Sequence, residues 1–271
     1  MNALALWRKG LSGSSVMVAL MLAACASPSP APEASREVRS APLEPADVER
    51  RARVRLELAS AYFARGQTAT ALDEIKLALT ARPDMPEALN LRGLILAAMG
   101  DKPGAESSFQ RALQVKPGDT DTAHNYGWFL CQQARWTEAD RMFALALAQP
   151  QNAEAFRTHL AQGACLARSG RLVEAERSLA RSYELDPGNP AAAFNLSEVL
   201  YRRGELERAR FYIRRVNSQP DLVNAQTLWL AARIERRMGN SGGVDDLSRQ
   251  LRDRYPQAPE TLLLDRGRWD D

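Results

Sequence analysis

Aromatic residues make up only 7% of this 271-residue chain, and it has just two histidines and three cysteines. Those shortages exclude zinc clusters, haem attachment and small folds stapled by many disulfides, which need more ligands or bridges than are present. No charge of one sign accumulates: 36 basic residues face 33 acidic ones, for a net charge of +3. A nucleic-acid surface gathers its basic residues into a patch, so no nucleic-acid partner is expected. Neither a Walker A sequence, a GxGxxG, an HExxH nor a CxxC occurs, and no serine sits in a strained elbow motif. His124 and His159 have no carboxylate cluster spaced to make them a base or a metal pair. An enzyme is therefore not expected, and neither is a cofactor, a metal or a small-molecule substrate. What is present is ordinary folding material: 45% hydrophobic and 25% charged residues, enough apolar mass for a sizeable core.

The amino terminus reads as an address. Arg8 and Lys9 precede Val16–Ala24, a purely apolar stretch. It is too short for the roughly 20 residues of a membrane span but suits the apolar region of a secretory signal. It closes on Leu22-Ala23-Ala24-Cys25, which resembles a bacterial lipobox. That resemblance implies cleavage before Cys25 and acylation of its thiol. Ala26, where inner-membrane lipoproteins carry Asp, implies an outer-membrane, lipid-anchored protein on the periplasmic face. Loss of residues 1–24 removes Arg8 and Lys9 and leaves a nearly neutral chain. Residues 25–46 then carry prolines at 28, 30, 32, 42 and 45, a composition that favours an extended spacer reaching up to about 60 Å at roughly 3 Å per residue.

Internal periodicity decides the architecture. Gly66, Gly100, Ala134, Gly170, Gly204 and Gly239 recur at intervals of about 34 residues. Five positions beyond each lie Ala71, Ala105, Ala139, Ala175, Ala209 and Val244; nine beyond lie Ile75, Phe109, Phe143, Leu179, Ile213 and Ser248. Pro83, Pro117, Pro187 and Pro256 close four units in register, and Pro150 and Pro220 close the other two one residue early. This pattern resembles the tetratricopeptide repeat. It predicts an all-α, right-handed solenoid of six helix-turn-helix pairs over 47–258, with 259–271 as a capping segment and tail. Small residues at Gly93, Gly127 and Gly163 are expected to let the two helices of a unit approach closely. One helix pair cannot bury its apolar face alone, so the units stack around a concave groove.

In such a superhelix the first helix of each unit lines the groove. Its lining positions here hold Leu56, Phe63, Asn90, Leu91 and Leu94 in the first two units, and Asn125, Trp128 and Arg168 in the middle. The last two units contribute Phe194, Asn195, Tyr201, Arg202, Trp229, Arg233 and Arg237. The expected groove therefore runs from apolar at one end to aromatic and cationic at the other. Cys131 and Cys165 fall on adjacent first helices, packed roughly 10 Å apart, so their side chains can face one another. An oxidising periplasm makes a disulfide the expectation; two buried free thiols are the alternative.

His124-Asn125-Tyr126-Gly127-Trp128-Phe129-Leu130-Cys131 resembles a stretch of the type IV pilus biogenesis lipoproteins of the PilF/PilW family. Phe194-Asn195-Leu196 through Phe211-Tyr212, and Leu228–Arg236, are similar to their fifth and sixth units. The chain departs from the family in having a single asparagine at 125, where members often have two. The resemblance implies a pilotin, a non-enzymatic outer-membrane lipoprotein that binds the type IV pilus secretin and promotes its localisation and multimerisation. A periplasmic scaffold for cell-wall enzymes or for another secretion system would share this architecture.

Overall fold

The computed structural model describes residues 44–148 and 154–269. The signal segment, Cys25, most of the spacer and Pro150 lie outside the described residues. Thirteen α-helices and one short 3-10 turn follow one another along the described chain. The pairs are α1 (Pro45–Ala64) with α2 (Thr68–Ala81), α3 (Pro86–Ala98) with α4 (Lys102–Val115), and α5 (Thr120–Gln132) with α6 (Trp136–Leu147). They continue as α7 (Ala155–Arg168) with α8 (Leu172–Leu185), α9 (Pro190–Arg203) with α10 (Leu206–Asn217), and α11 (Ala225–Arg237) with α12 (Ser241–Arg254). A last helix, α13 (Pro259–Asp265), packs on both α11 and α12. No helix among the described residues is long and apolar enough to cross a membrane.

The helices start and stop where local chemistry dictates. Pro45, Pro86, Pro190 and Pro259 open helices at positions whose N–H would have no intrahelical partner. Asp101, Asp119, Asn189, Asn224 and Asn240 cap their helices by accepting hydrogen bonds from first-turn amides. Between the helices of each unit the chain passes through a left-handed residue. This is glycine in five units, as at Gly204 (φ 80°), and alanine in the third, at Ala134 (φ 58°). The same closing bond forms either way: the Glu205 N–H donates to the Leu200 carbonyl, and the Arg135 N–H to that of Leu130.

Close approach within a unit rests on absent side chains. A Cβ at Gly93 would lie 2.6 Å from the Phe109 ring, one at Gly127 2.9 Å from Phe143, and one at Gly163 2.5 Å from Leu179. Ser197 takes this place in the fifth unit and donates its buried hydroxyl to the Ala209 carbonyl, 2.8 Å away. Consecutive first helices touch one another all along the stack, whereas the second helices make no comparable contact with each other. The first helices of the six units therefore form the inner, concave layer and their second helices the outer, convex layer. α1 begins at Pro45, two residues inside the segment read as spacer. The longer fifth-unit connection contains the turn Pro220–Leu222.

Candidate functional site: the concave groove

The groove is a set of columns, because residues one unit apart stand side by side on neighbouring first helices. One column reads Ser60, Leu94, Trp128, Ala164, Glu198 and Arg233, all at least partly exposed. Beside it run Leu56, Asn90, His124, Leu160 and Phe194, all half-buried. In the middle these columns, with Arg157 and Asn195 beside them, border an open cleft of about 420 Å³ lined by His124, Trp128, Leu160 and Ala164. Asn125 donates through its amide to Asn90 across the second and third units (3.1 Å), leaving each side chain further donor and acceptor capacity. Asn195 spends one N–H on the Ala191 carbonyl at 2.8 Å. His124 Nδ1 lies 3.1 Å from the Thr158 hydroxyl. Burial, with Arg157 nearby, holds this imidazole below its ordinary value, so it is neutral at pH 7.

Three residues expected to line the groove are instead inside the stack. Leu91, Tyr201 and Trp229 are buried, at 9%, 5% and 6% exposure. Each occupies a face that a neighbouring helix covers. Leu91 belongs to the apolar cluster of the first two units. Tyr201 lies under the guanidinium groups of both Arg233 and Arg237, each 4.8 Å from its ring centroid. Trp229 is stacked on Trp269 at 4.9 Å, so the end of the chain covers it. The cationic end is also partly committed. Arg202 donates to the Ala167 carbonyl and Arg237 to that of Tyr201, both at 3.0 Å. Each thereby caps the end of the preceding first helix. Arg168 is exposed at the end of α7. At the opposite end Leu56, Phe63 and Leu94 are half-buried; they pack on the first apolar cluster and leave part of their surface to the groove.

Cys131 and Cys165 form a disulfide between α5 and α7, with a Cα–Cα separation of 5.8 Å, and both are buried. The link joins the third unit to the fourth beside Trp128.

Glu235 is the polar centre that a reading of the sequence passes over. Leu96, Leu130, Leu166 and Leu200 hold its column in the four preceding units, each packed into the stack. At 4% exposure, Glu235 accepts hydrogen bonds from Arg210 (2.8 Å), Arg214 (3.0 Å) and Asn240 (2.8 Å). Burial alone would push its carboxyl up; the bonds from Asn240 and Arg210 and the two nearby positive charges outweigh that and hold it below the ordinary glutamate value. The detectable signal is a lone charge in a leucine column. Elsewhere the between-unit ion pairs have the opposite polarity. Glu106, Asp140 and Glu176 on second helices meet Arg135, Arg171 and the pair Arg203 and Arg208 of the following unit.

This arrangement suits holding a polypeptide. Apolar and aromatic side chains offer pockets, and amides offer backbone-like hydrogen bonds. Among the described residues no group of His, Cys, Asp and Glu is arranged to hold a metal ion.

Comparison with known proteins agrees with this geometry. Patterns for the tetratricopeptide repeat match residues 51–120 and 130–190, and a second form matches 166–228. The type IV pilus assembly protein PilF of Pseudomonas aeruginosa is 23% identical over 205 residues, covering 76% of this chain and 81% of that protein. The crystal structure of PilW, described as a widely conserved type IV pilus biogenesis factor, superposes with a TM-score of 0.74 at 28% identity, over 79% of this chain and 97% of that one. The structure of Pseudomonas aeruginosa PilF superposes with a TM-score of 0.70 at 22% identity, over 81% and 99% of the two chains.

Proposed function

Because the chain belongs to the tetratricopeptide-repeat family, we propose that it is a binding scaffold of the type IV pilus machinery and acts as the pilotin of the pilus secretin. In this reading acyl chains on Cys25 hold it to the outer membrane from the periplasmic side. The groove takes up a short amphipathic segment of the secretin and promotes its delivery and multimerisation. The observation that carries the proposal is the likeness to PilW, which extends over nearly all of that biogenesis factor at 28% identity. The groove supports it chemically. The half-buried Leu56, Phe63 and Leu94 can receive the apolar face of a helix, and the asparagines further along can fix its polar edge. Exposed side chains there bind and position; the proposal assigns them no bond-making step.

Leu94 packs against both the first and the second apolar cluster, so truncating it would disturb the stack itself. The better test blocks the groove from its exposed side. Ser60→Arg adds bulk in the groove column without touching the core, and Phe63→Ala removes the apolar contact. Each should weaken binding of a secretin-derived amphipathic peptide by about tenfold or more and lower the yield of secretin multimers in cells. Circular dichroism and melting of Ser60→Arg should stay at wild-type levels; Phe63→Ala, which also packs on the first apolar cluster, should keep its helicity but melt somewhat earlier. Normal multimers from a folded, membrane-bound Ser60→Arg protein would overturn the groove assignment. Cys25→Ser should release the protein into the periplasm, since each buried CH₂ of an acyl chain contributes about 0.8 kcal/mol to anchoring. A mutant that still fractionates with outer membranes in cells lacking the secretin would overturn the anchor.

A further inference from the structure

The convex layer carries a feature that the groove does not use. At one position of the second helices the side chains are Asp73, Ser107, Arg141, Arg177 and Asp246, each polar and exposed, as befits the solvent side of a stack. In the fifth unit that position is Phe211, which is 58% exposed, more than any other large hydrophobic residue among those described. The packing of the stack does not require an aromatic ring at this exposed position of an otherwise polar column.

The surroundings of Phe211 are organised. Its ring meets Tyr212 edge-on at 5.1 Å, and Tyr212 meets Tyr183 edge-on at 5.1 Å, forming an aromatic ridge from α8 to α10. Arg215 lies over Tyr183, 6.0 Å from its centroid. Beside the ridge an open hollow is bounded by Glu207, Arg210, Phe211, Arg214 and Arg215. Arg210 and Arg214 are steadied from beneath by Glu235, yet the Arg214 side chain remains 61% exposed. Fixed guanidinium forks around an exposed ring are the usual composition of a protein-binding hot spot.

We infer that this patch is a second docking surface, on the convex face, for an acidic protein segment that carries a leucine or aromatic side chain. Charge complementarity selects that occupant: three arginines border the hollow against Glu207 and, beneath two of them, Glu235, which leaves one positive charge in excess with Arg215 and the outer edge of Arg214 open to a carboxylate. Guanidinium forks match the geometry of Asp and Glu side chains, and Phe211 supplies the apolar anchor. A single exposed ring backed by the Tyr212–Tyr183 ridge offers one discrete anchor, which suits a side chain of a protein segment better than a continuous sheet of phosphates. The surface is independent of the groove, so one molecule can hold a concave and a convex partner at once.

A fluorescein-labelled decapeptide alternating Glu with Leu is the probe, titrated into the full chain and followed by anisotropy. Phe211→Ala and Arg215→Glu should each weaken binding about tenfold, and raising the salt should weaken wild-type binding further. Both substitutions lie on the exposed surface, so melting should change little. Ser60→Arg, in the groove, should leave this peptide's affinity unchanged, which separates this result from the fate of the pilotin reading. The same peptide with Lys in place of Glu should not bind. Equal affinity in wild type, Phe211→Ala and Arg215→Glu would overturn the proposal. So would binding to phosphatidylglycerol vesicles that the two substitutions abolish while the peptide fails to bind, which would make the patch a membrane contact.

Discussion

The joint between the third and fourth units and the joint between the fifth and sixth occupy equivalent places in the stack, yet opposite chemistries hold them. The first has Leu166 in the packing column and a disulfide between neighbouring first helices. The second has Glu235 in that column, bound by two arginines of the preceding helix. Apolar packing and a covalent link carry no charge to be titrated by acid or screened by moderate salt. A buried carboxylate holds only while it is charged and every partner is in place. A repeat architecture thus need not be uniform in what it responds to, even where its backbone repeats closely.

The largest effect should come from breaking the link. The Cys131–Cys165 pair closes a 34-residue loop, which by chain entropy contributes about 3–4 kcal/mol. Replacing both cysteines with alanine, or reducing the protein, should lower the urea midpoint by that equivalent. It should speed amide exchange in α5 and α7 more than in α11. Uniform loss of protection along the whole chain would instead mean that the stack unfolds as one unit.

A smaller effect should follow at the other joint, with a size that depends on the replacement. Glu235→Ala leaves two arginines facing a void and should cost about 2–3 kcal/mol. Glu235→Leu restores the residue found in the four preceding units and fills the void, but it leaves Arg210 and Arg214 unpaired, so it should recover only part of that loss, about 1 kcal/mol. The folded value of the Glu235 carboxyl is held below its unfolded one. Its contribution is therefore complete above the ordinary glutamate range and is lost as pH falls through the folded value. Protection factors of the amides in α11 and α12 should fall with acidification in wild type but not in Glu235→Leu. Identical acid profiles for the two proteins would show that the joint does not depend on this charge.

The smallest change sharpens the contrast from the stronger side. Ala134 holds a left-handed backbone that glycine adopts in the other five units. Ala134→Gly should relieve that strain at a partly offsetting entropic cost, raising stability by about 0.5 kcal/mol and the melting temperature by a degree or two. A lower melting temperature would show that the alanine methyl is packed rather than strained.

Much of this molecule could be read from the sequence because its period is long and its punctuation explicit. Gly66, Gly100, Gly170, Gly204 and Gly239 marked the turns, and Gly93, Gly127 and Gly163 marked the close approaches, because each position tolerates so few alternatives. The groove was harder. Helical spacing places Leu91, Tyr201 and Trp229 on the inner layer, but it does not distinguish a side chain facing the open groove from one covered by the next helix. Trp229 is hidden by Trp269, a residue forty positions away at the end of the chain. Glu235 escaped notice because its partners Arg210 and Arg214 belong to the previous unit. Its anomaly emerges only when the fourth-from-turn residues of all units are set side by side.

A solenoid under load behaves as springs in series, so it yields at its softest coupling. The Cys131–Cys165 stitch lies in the inner layer, where opening the arc must draw neighbouring first helices apart. It therefore acts as a check-strap, stiff against widening and slack against tightening. Pulled from either end, the molecule should keep its calibre beside Trp128 and give way in the outer arms. Its centre is then a gauge of fixed bore, and its two ends are the compliant jaws.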